Sequence, residues 1–395
     1  MATFDVAVVG AGMIGSSAAL ALAEAGRRTI LVGPGEPANK AATDGPLASH
    51  YDEGRITRIV DPDPLWAKWA AESIARYGAI EERSGIGFHT ACGSIRAAPA
   101  GAASIERAKA AAAPYGVALE EIDGAELRRR CPAVGLGDQF TVLWEHGPAG
   151  YVNPRRMVAA IRTAATRSGV TLAPEAALSA RSAGKDAEIL LSGGDRISCA
   201  RALVTVGPHA LDPSLLPVLP DLKPVGRTVV QIEVNAGDPA FAGLPSFIVA
   251  FDADEANYSF YGVPPVAYPG GGLWLKTGNG GFGDLLEGSD TVRDWFAAGG
   301  SRAEANAIRE RTLQMFPGLA NARWRTEPCA LVETDSERPF IGRVPGNPAI
   351  GVALGCNGYA AKSCIAVGRV AADMIVDDGW ADADAAALSP RWRAR

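Results

Sequence analysis

Three glycines near the start of the chain could cradle a phosphate: Gly10-Ala11-Gly12-Met13-Ile14-Gly15 holds them at the GxGxxG spacing. At that spacing one glycine makes a tight turn, one lets backbone approach a pyrophosphate, and one lets a helix pack closely on a strand. The helix that follows offers unpaired N–H groups to an anion. Nucleophilic and metal chemistry have thinner support. The six cysteines (92, 131, 199, 329, 356 and 364) lack the short spacings of a metal site, so no metal is expected. No Ser/His/Asp or Cys/His grouping stands out among four histidines, and His146 and His209 read as well as structural groups.

Local elements must hold the glycine loop. Phe4, Val6, Val8 and Val9 predict a short apolar strand, Ser16 to Ala25 an Ala/Leu-rich helix stopped by Gly26, and Thr29 to Val32 a second strand. Strand, loop, helix and strand in that order make a weak motif a strong one for a dinucleotide. One position departs from the pattern. An acid should close the second strand to hold the adenosine ribose, and Gly33 stands there; either Glu36 reaches back, or backbone and water serve the ribose. No arginine directly follows the strand to mark a 2′-phosphate.

Further along, residues 34–48 read as a loop and Asp63 to Tyr77 as a helix with Leu65, Trp66, Trp69 and Ile74 on its apolar side. Strand-like stretches near Gly87 to Arg96 and Val117 to Ile122 flank a helix over Ile105 to Tyr115, and none repeats the opening pattern. Asn153-Pro154 caps a helix to about Arg167, with strands at Val170 to Leu172 and Ala202 to Val206. Strands are expected at Val229 to Val234 and within Tyr258 to Lys276, a helical region over Asp290 to Met315, and a last strand, Ile350 to Leu354, leading through Gly355-Cys356-Asn357-Gly358 into a helix ending near Ile375. The expected fold class is α/β. A Rossmann-like dinucleotide domain (1–82, 147–220 and 325–385) interleaves with an α+β substrate domain (83–146 and 221–324) holding a mixed, largely antiparallel sheet, and 386–395 form a tail.

At 395 residues, 48% hydrophobic and 21% charged, the chain has material for two or three real cores. A formal charge of −6 and no basic stripe argue against nucleic acid as a partner. No run of about 20 apolar residues predicts a membrane span. The apolar start lacks the basic lead of a signal peptide, and a reduced, cytoplasmic monomer is the default expectation.

Four further stretches carry a resemblance: Ser49-His50-Tyr51-Asp52-Glu53-Gly54-Arg55-Ile56-Thr57-Arg58, the region from Phe260-Tyr261-Gly262 to Leu275-Lys276-Thr277-Gly278, Cys329 to Gly342, and Gly355 to Gly368. With the glycine loop they run over nearly the whole chain in the order of the monomeric sarcosine oxidase (N-methyl amino acid oxidase) family, within the D-amino-acid-oxidase-like (DAO) flavoproteins, which the chain resembles. The resemblance implies FAD in a GR2-type domain, with the flavin between the two domains. It implies oxidation of a C–N bond in a small secondary, N-methyl or cyclic amino acid, giving an imine that water hydrolyses while O2 becomes H2O2. The rival readings are a dehydrogenase using another acceptor and a non-catalytic FAD-binding subunit.

Residue by residue, the resemblance places Arg55 near the flavin, with Arg58 and Lys362 on the substrate carboxylate, which a guanidinium can hold by two parallel hydrogen bonds. Lys362 would add a cation at a helix start that already favours anions. Lys276 matches an oxygen-activating lysine, which would stabilise charge developing on oxygen; a shifted alignment puts Trp274 there. Cys329 matches a cysteine bonded to the flavin 8-methyl group, with Thr334 at the matching offset but Asp335 one residue early and Ser336 in its place. Tyr51 replaces a family histidine. Cofactor contacts are implied at Gly10, Gly12, Met13, Ile14, Gly15, Ser49 and Arg55, and again at Cys329, Gly355, Gly358, Tyr359 and Lys362. Tyr261 is implied at the substrate, beside Arg58 and Lys362.

Overall fold

The computed structural model describes residues 3–252, 259–280, 283–378, 380 and 384–393. The opening strand, Phe4–Val9, is buried from Val6 onward, as a parallel strand covered on both faces must be. It pairs in parallel with Thr29–Val32 on one side and Arg196–Val204 on the other. Thr171–Ala173 extends the sheet beyond Thr29–Val32, and Asn347–Leu354 joins Arg196–Val204 in parallel. Antiparallel strands Ala177–Ala183, Asp186–Leu191 and Phe340–Val344 complete eight. Helices Met13–Glu24, Pro154–Arg167 and Ala360–Val376 pack together over one face, sharing a core with Leu20, Leu22, Ala160, Ile161 and Val367. Asn153 caps the second of them by accepting from the Arg156 N–H at 3.0 Å.

The second sheet has nine strands and is antiparallel except where Ser246–Ala250 lies parallel to Ser94–Pro99. Lys223–Val234 is its spine, pairing with Leu273–Asn279 and with Trp324–Glu333. Cross-strand register sets Lys276, Gln231 and Arg325 side by side, and period-2 alternation adds Val229, Glu327 and Cys329 to that face. A three-stranded sheet of Arg55–Thr57, Gly150–Val152 and His89–Thr90 sits at the junction.

Three expectations shift. The boundary placed at residue 325 would cut through Trp324–Glu333, which belongs to the second sheet, and the first sheet resumes only at Phe340. The helical region over Asp290 to Met315 is two helices, Ser289–Ala298 and Arg302–Met315, because Gly299 takes a left-handed C-cap at φ 75° and Gly300 follows at 91°. The tail packs back: Leu388 is fully buried and Arg393 N–H donates to the Leu219 carbonyl. Tyr258 and residues 394–395, expected in a strand and in the tail, lie outside the described residues.

Candidate active site

A cavity of about 660 Å³ runs from the glycine loop to the second sheet, lined by Gly10, Gly12, Met13 and Ile14 at one end and by Ser49, Arg55, Cys329, Gly355 and Gly358 at the other. Helix Met13–Glu24 begins here with no side-chain cap and no acid in its first turn, so its leading N–H groups are left for an anion. Gly15 packs rather than lines: a Cβ there would come within 1.8 Å of the Gly10 carbonyl oxygen. Thr205 locks the turn, its hydroxyl donating to the carbonyls of Gly10 (2.9 Å) and Val9 (3.1 Å). Shape, uncapped helix and glycine contacts all fit a dinucleotide. Glu36 lies outside this cavity's lining, held by Arg155 through two 2.7 Å hydrogen bonds.

At the far end Cys329 and Arg55 form the wall. The Arg55 Nη2 lies 3.2 Å from Cys329 Sγ and 3.2 Å from the Ser49 carbonyl, while the Ser49 hydroxyl donates to the Ala330 carbonyl at 2.5 Å. Behind them Asp52 is the hub of a buried cluster. Lys276 donates to its carboxylate, Tyr268 donates at 2.9 Å, and Arg55 Nε stands 2.9 Å away. Burial alone would raise the Asp52 carboxyl, but Lys276 and Arg55 outweigh it and hold it well below the usual range. Burial, then Arg55, pushes Lys276 down to about 8. Lys276 is 1% exposed, lines neither this cavity nor the smaller one beside it, and also donates to the Gly54 carbonyl at 2.7 Å. Tyr261 is raised to about 12, by burial first, with Arg55 and Cys329 close enough to act on it.

Arg58 and Lys362 do come together, but on Asp61. Arg58 Nη1 donates to Asp61 Oδ2 at 2.8 Å and to the Val60 carbonyl at 2.6 Å, and Lys362 Nζ donates to the same Asp61 oxygen at 2.6 Å. All three are 5% exposed or less. Lys362 and Arg58 overcome the effect of burial and hold the Asp61 carboxyl well below its ordinary value, while burial and then Arg58 take Lys362 down to about 8. Glu145 is next to them, accepting from the Ile59 and Val60 N–H groups at 2.8 Å and raised by burial. The pair expected to meet a substrate carboxylate therefore meets one of the chain's own. Tyr359, expected on the cofactor, instead stacks on Trp66 at 4.7 Å and 24°, with Lys362 Nζ 5.0 Å from its ring; neither Tyr359 nor Lys362 lines the large cavity, which the start of their helix does at Ala360 and Ala361.

Sequence reasoning missed four groups. Asp52 lies inside the stretch from Ser49 to Arg58, and Asp61 lies just after it, but their lysine partners are 224 and 301 residues away. Arg162 lines the large cavity and donates to the Ala11 carbonyl; nothing in the helix pattern singles it out. His50, beside Gly12, is lowered to about 3 by burial and then by Arg162, and so stays neutral. His209 also lines the large cavity, its Nε2 2.8 Å from the Leu47 carbonyl and its Nδ1 3.0 Å from the Ser289 hydroxyl.

A family profile described as FAD dependent oxidoreductase matches residues 5–374. The chain is similar to N-methyl-L-tryptophan oxidase of Yersinia pestis (strain Pestoides F), 24% identical over 373 residues that cover 93% of this chain and 94% of that protein. Its fold is similar to that of NikD, an unusual amino acid oxidase essential for nikkomycin biosynthesis, in its open form, with TM-score 0.77, 20% identity and coverage of 100% and 99% of the two chains. It is also similar to that of L-proline dehydrogenase from P. horikoshii, with TM-score 0.75, 16% identity and coverage of 98% and 97%. No described helix is long and apolar enough to cross a membrane.

Proposed function

The chain belongs to the FAD dependent oxidoreductase family, and on that premise we propose that it oxidises the C–N bond of a small secondary, N-methyl or cyclic amino acid to an imine, with O2 as acceptor. The observation that carries this reading is the single cavity joining the glycine loop to Arg55 and Cys329. FAD, when bound, supplies the acceptor for the hydride equivalent. The chain supplies placement and charge. The glycine loop and the uncapped helix hold the pyrophosphate, Arg55 sets a fixed cation at the end where the ring would lie, and Arg58 and Lys362 hold the substrate carboxylate when it displaces Asp61. Removing that carboxylate from water strengthens each charge-assisted bond.

The purified protein should be yellow and should release peroxide on mixing with an amino-acid panel that includes sarcosine, proline and N-methyl-tryptophan. A protein that stays colourless and inactive after FAD is added would overturn the reading. A dehydrogenase is the second reading, favoured by Lys276: its charge is matched by Asp52 and it lines neither cavity at the junction. Reduction of an artificial dye without peroxide would establish it.

Cys329 is proposed as the covalent anchor, supported by its place in the cavity wall, where its Sγ lies 3.2 Å from the Arg55 guanidinium. Acid precipitation should leave flavin on the wild-type polypeptide and strip it from Cys329→Ser. Complete release from the wild type makes Cys329 a packing residue.

A further inference from the structure

A second cavity, of about 340 Å³, lies behind the wall that Ser49, Tyr51, Arg55 and Cys329 share with the larger one. Its charged lining is Lys40, Arg55, Arg155 and Arg325 against Glu36, Asp52 and Glu327. All three carboxylates are already engaged: Glu36 with Arg155 at 2.7 Å, Asp52 with Lys276 and Arg55, and Glu327 with Lys40 at 3.6 Å. Arg325 is left over. Among the described residues no carboxylate pairs with it; Glu233, on the same sheet face, is taken by Arg323 at 2.5 and 2.6 Å. Its one hydrogen bond among the described residues runs from Nε to Gln231 Oε1 at 2.7 Å, and its guanidinium carbon lies over the Trp274 ring, 4.1 Å from the centroid.

Gln231 makes the second observation. It lines the same cavity, is 0% exposed, and its Nε2 has no hydrogen-bond partner among the described residues. The bond from Arg325 fixes the amide orientation, so the unpartnered group is a donor. A buried donor without an acceptor destabilises a fold unless a ligand supplies the acceptor. Beside it the terminal nitrogens of Arg325 make no hydrogen bond among the described residues, and the planar fork they form suits two carboxylate oxygens.

We propose that this cavity binds a small carboxylate, held by Arg325 and Gln231, whose flat apolar body lies against Val229, Tyr268 and Phe296. The site is separate from the dinucleotide cavity and from the Arg58–Asp61–Lys362 cluster, so it goes beyond the oxidase reading and does not depend on it. The rings of Trp274 and Tyr268, centred 4.1 and 5.5 Å from the guanidinium carbon, hold Arg325 in place beside the cavity.

Isothermal titration of the flavin-loaded protein with phenylacetate tests this without turnover, so an inactive protein would still answer it. Phenylacetate should bind one to one, and the neutral phenylacetamide at least about tenfold more weakly. Arg325→Gln and Gln231→Met should each weaken phenylacetate roughly ten- to a hundredfold. Gln231→Met keeps the side-chain shape, so if Arg325→Gln fails to fold, this variant, with wild-type flavin content and melting temperature, still decides. No binding by the wild type, equal affinity for acid and amide, or variants that bind as the wild type does would each overturn the site.

Discussion

Asp61→Asn is expected to weaken the fold and strengthen the grip on amino-acid carboxylates at once. Among the described residues Asp61 is the one carboxylate bonded to both Arg58 and Lys362, at 2.8 and 2.6 Å, with all three side chains buried. Removing one member of such a cluster leaves buried cations uncompensated, which costs about 3–5 kcal/mol. The same change removes the group that a substrate carboxylate must displace, so KM for amino acids should fall roughly ten- to a hundredfold, by the size of a charge-assisted hydrogen bond. The decarboxylated amines should not share that gain. The pH dependence has a defined sign. Because the folded Asp61 carboxyl lies below its unfolded value near 4, its stabilisation is complete above that value and is lost as pH falls toward the folded one. The asparagine variant should therefore lose less stability than wild type between about pH 5 and pH 2. Melting curves across that range, with kinetics on an amino acid and its amine, separate the cases. A lower melting point with an unchanged ratio of the two KM values makes the cluster structural and removes the clamp; an unchanged melting point removes the ion-pair account.

How far these features were legible depends on how local their causes are. The glycine loop, the Asn153-Pro154 start and the Gly26 stop are short-range effects of backbone freedom and capping, and each element formed where its residues pointed. The counter-ions were not legible, since nothing near Asp52 or Asp61 names a lysine hundreds of residues away on another strand or helix. The resemblance supplied Arg58 and Lys362 as a pair, and they are a pair, but it carries no information on Asp61, the carboxylate that both of them hold. Trp324–Glu333 was assigned to the wrong sheet although the signal was present: Arg325, Glu327 and Cys329 alternate with Thr326 and Pro328, the period of a strand with one face toward a polar site. Gly299-Gly300 likewise marked a helix break inside an otherwise helical run.

Gly33→Asp, the change that restores the acid usual at the end of the second strand, is expected to impair FAD binding rather than improve it. A Cβ at Gly33 would come 2.7 Å from the Ala11 backbone nitrogen and 2.8 Å from its Cβ, both fixed by the glycine loop. Neither atom is the free end of a side chain, so the strand end or the loop must move, and the loop is what lines the dinucleotide cavity. Overpacking of this kind costs about 1–3 kcal/mol, which as lost affinity is roughly five- to a hundred-and-fifty-fold. Gly33→Ala isolates the cause: it adds the Cβ without the carboxylate and should lose nearly as much. Glu36 cannot compensate while Arg155 holds it. Titrating apo-protein with FAD by fluorescence, in a Cys329→Ser background so that binding is reversible, measures both variants. Tighter FAD binding by Gly33→Asp would show that the loop yields and that a ribose carboxylate was simply missing. A loss shared by Ala and Asp means that the loop itself sits where that carboxylate would have to stand, and that the adenosine end is held here by backbone and by groups on neighbouring elements.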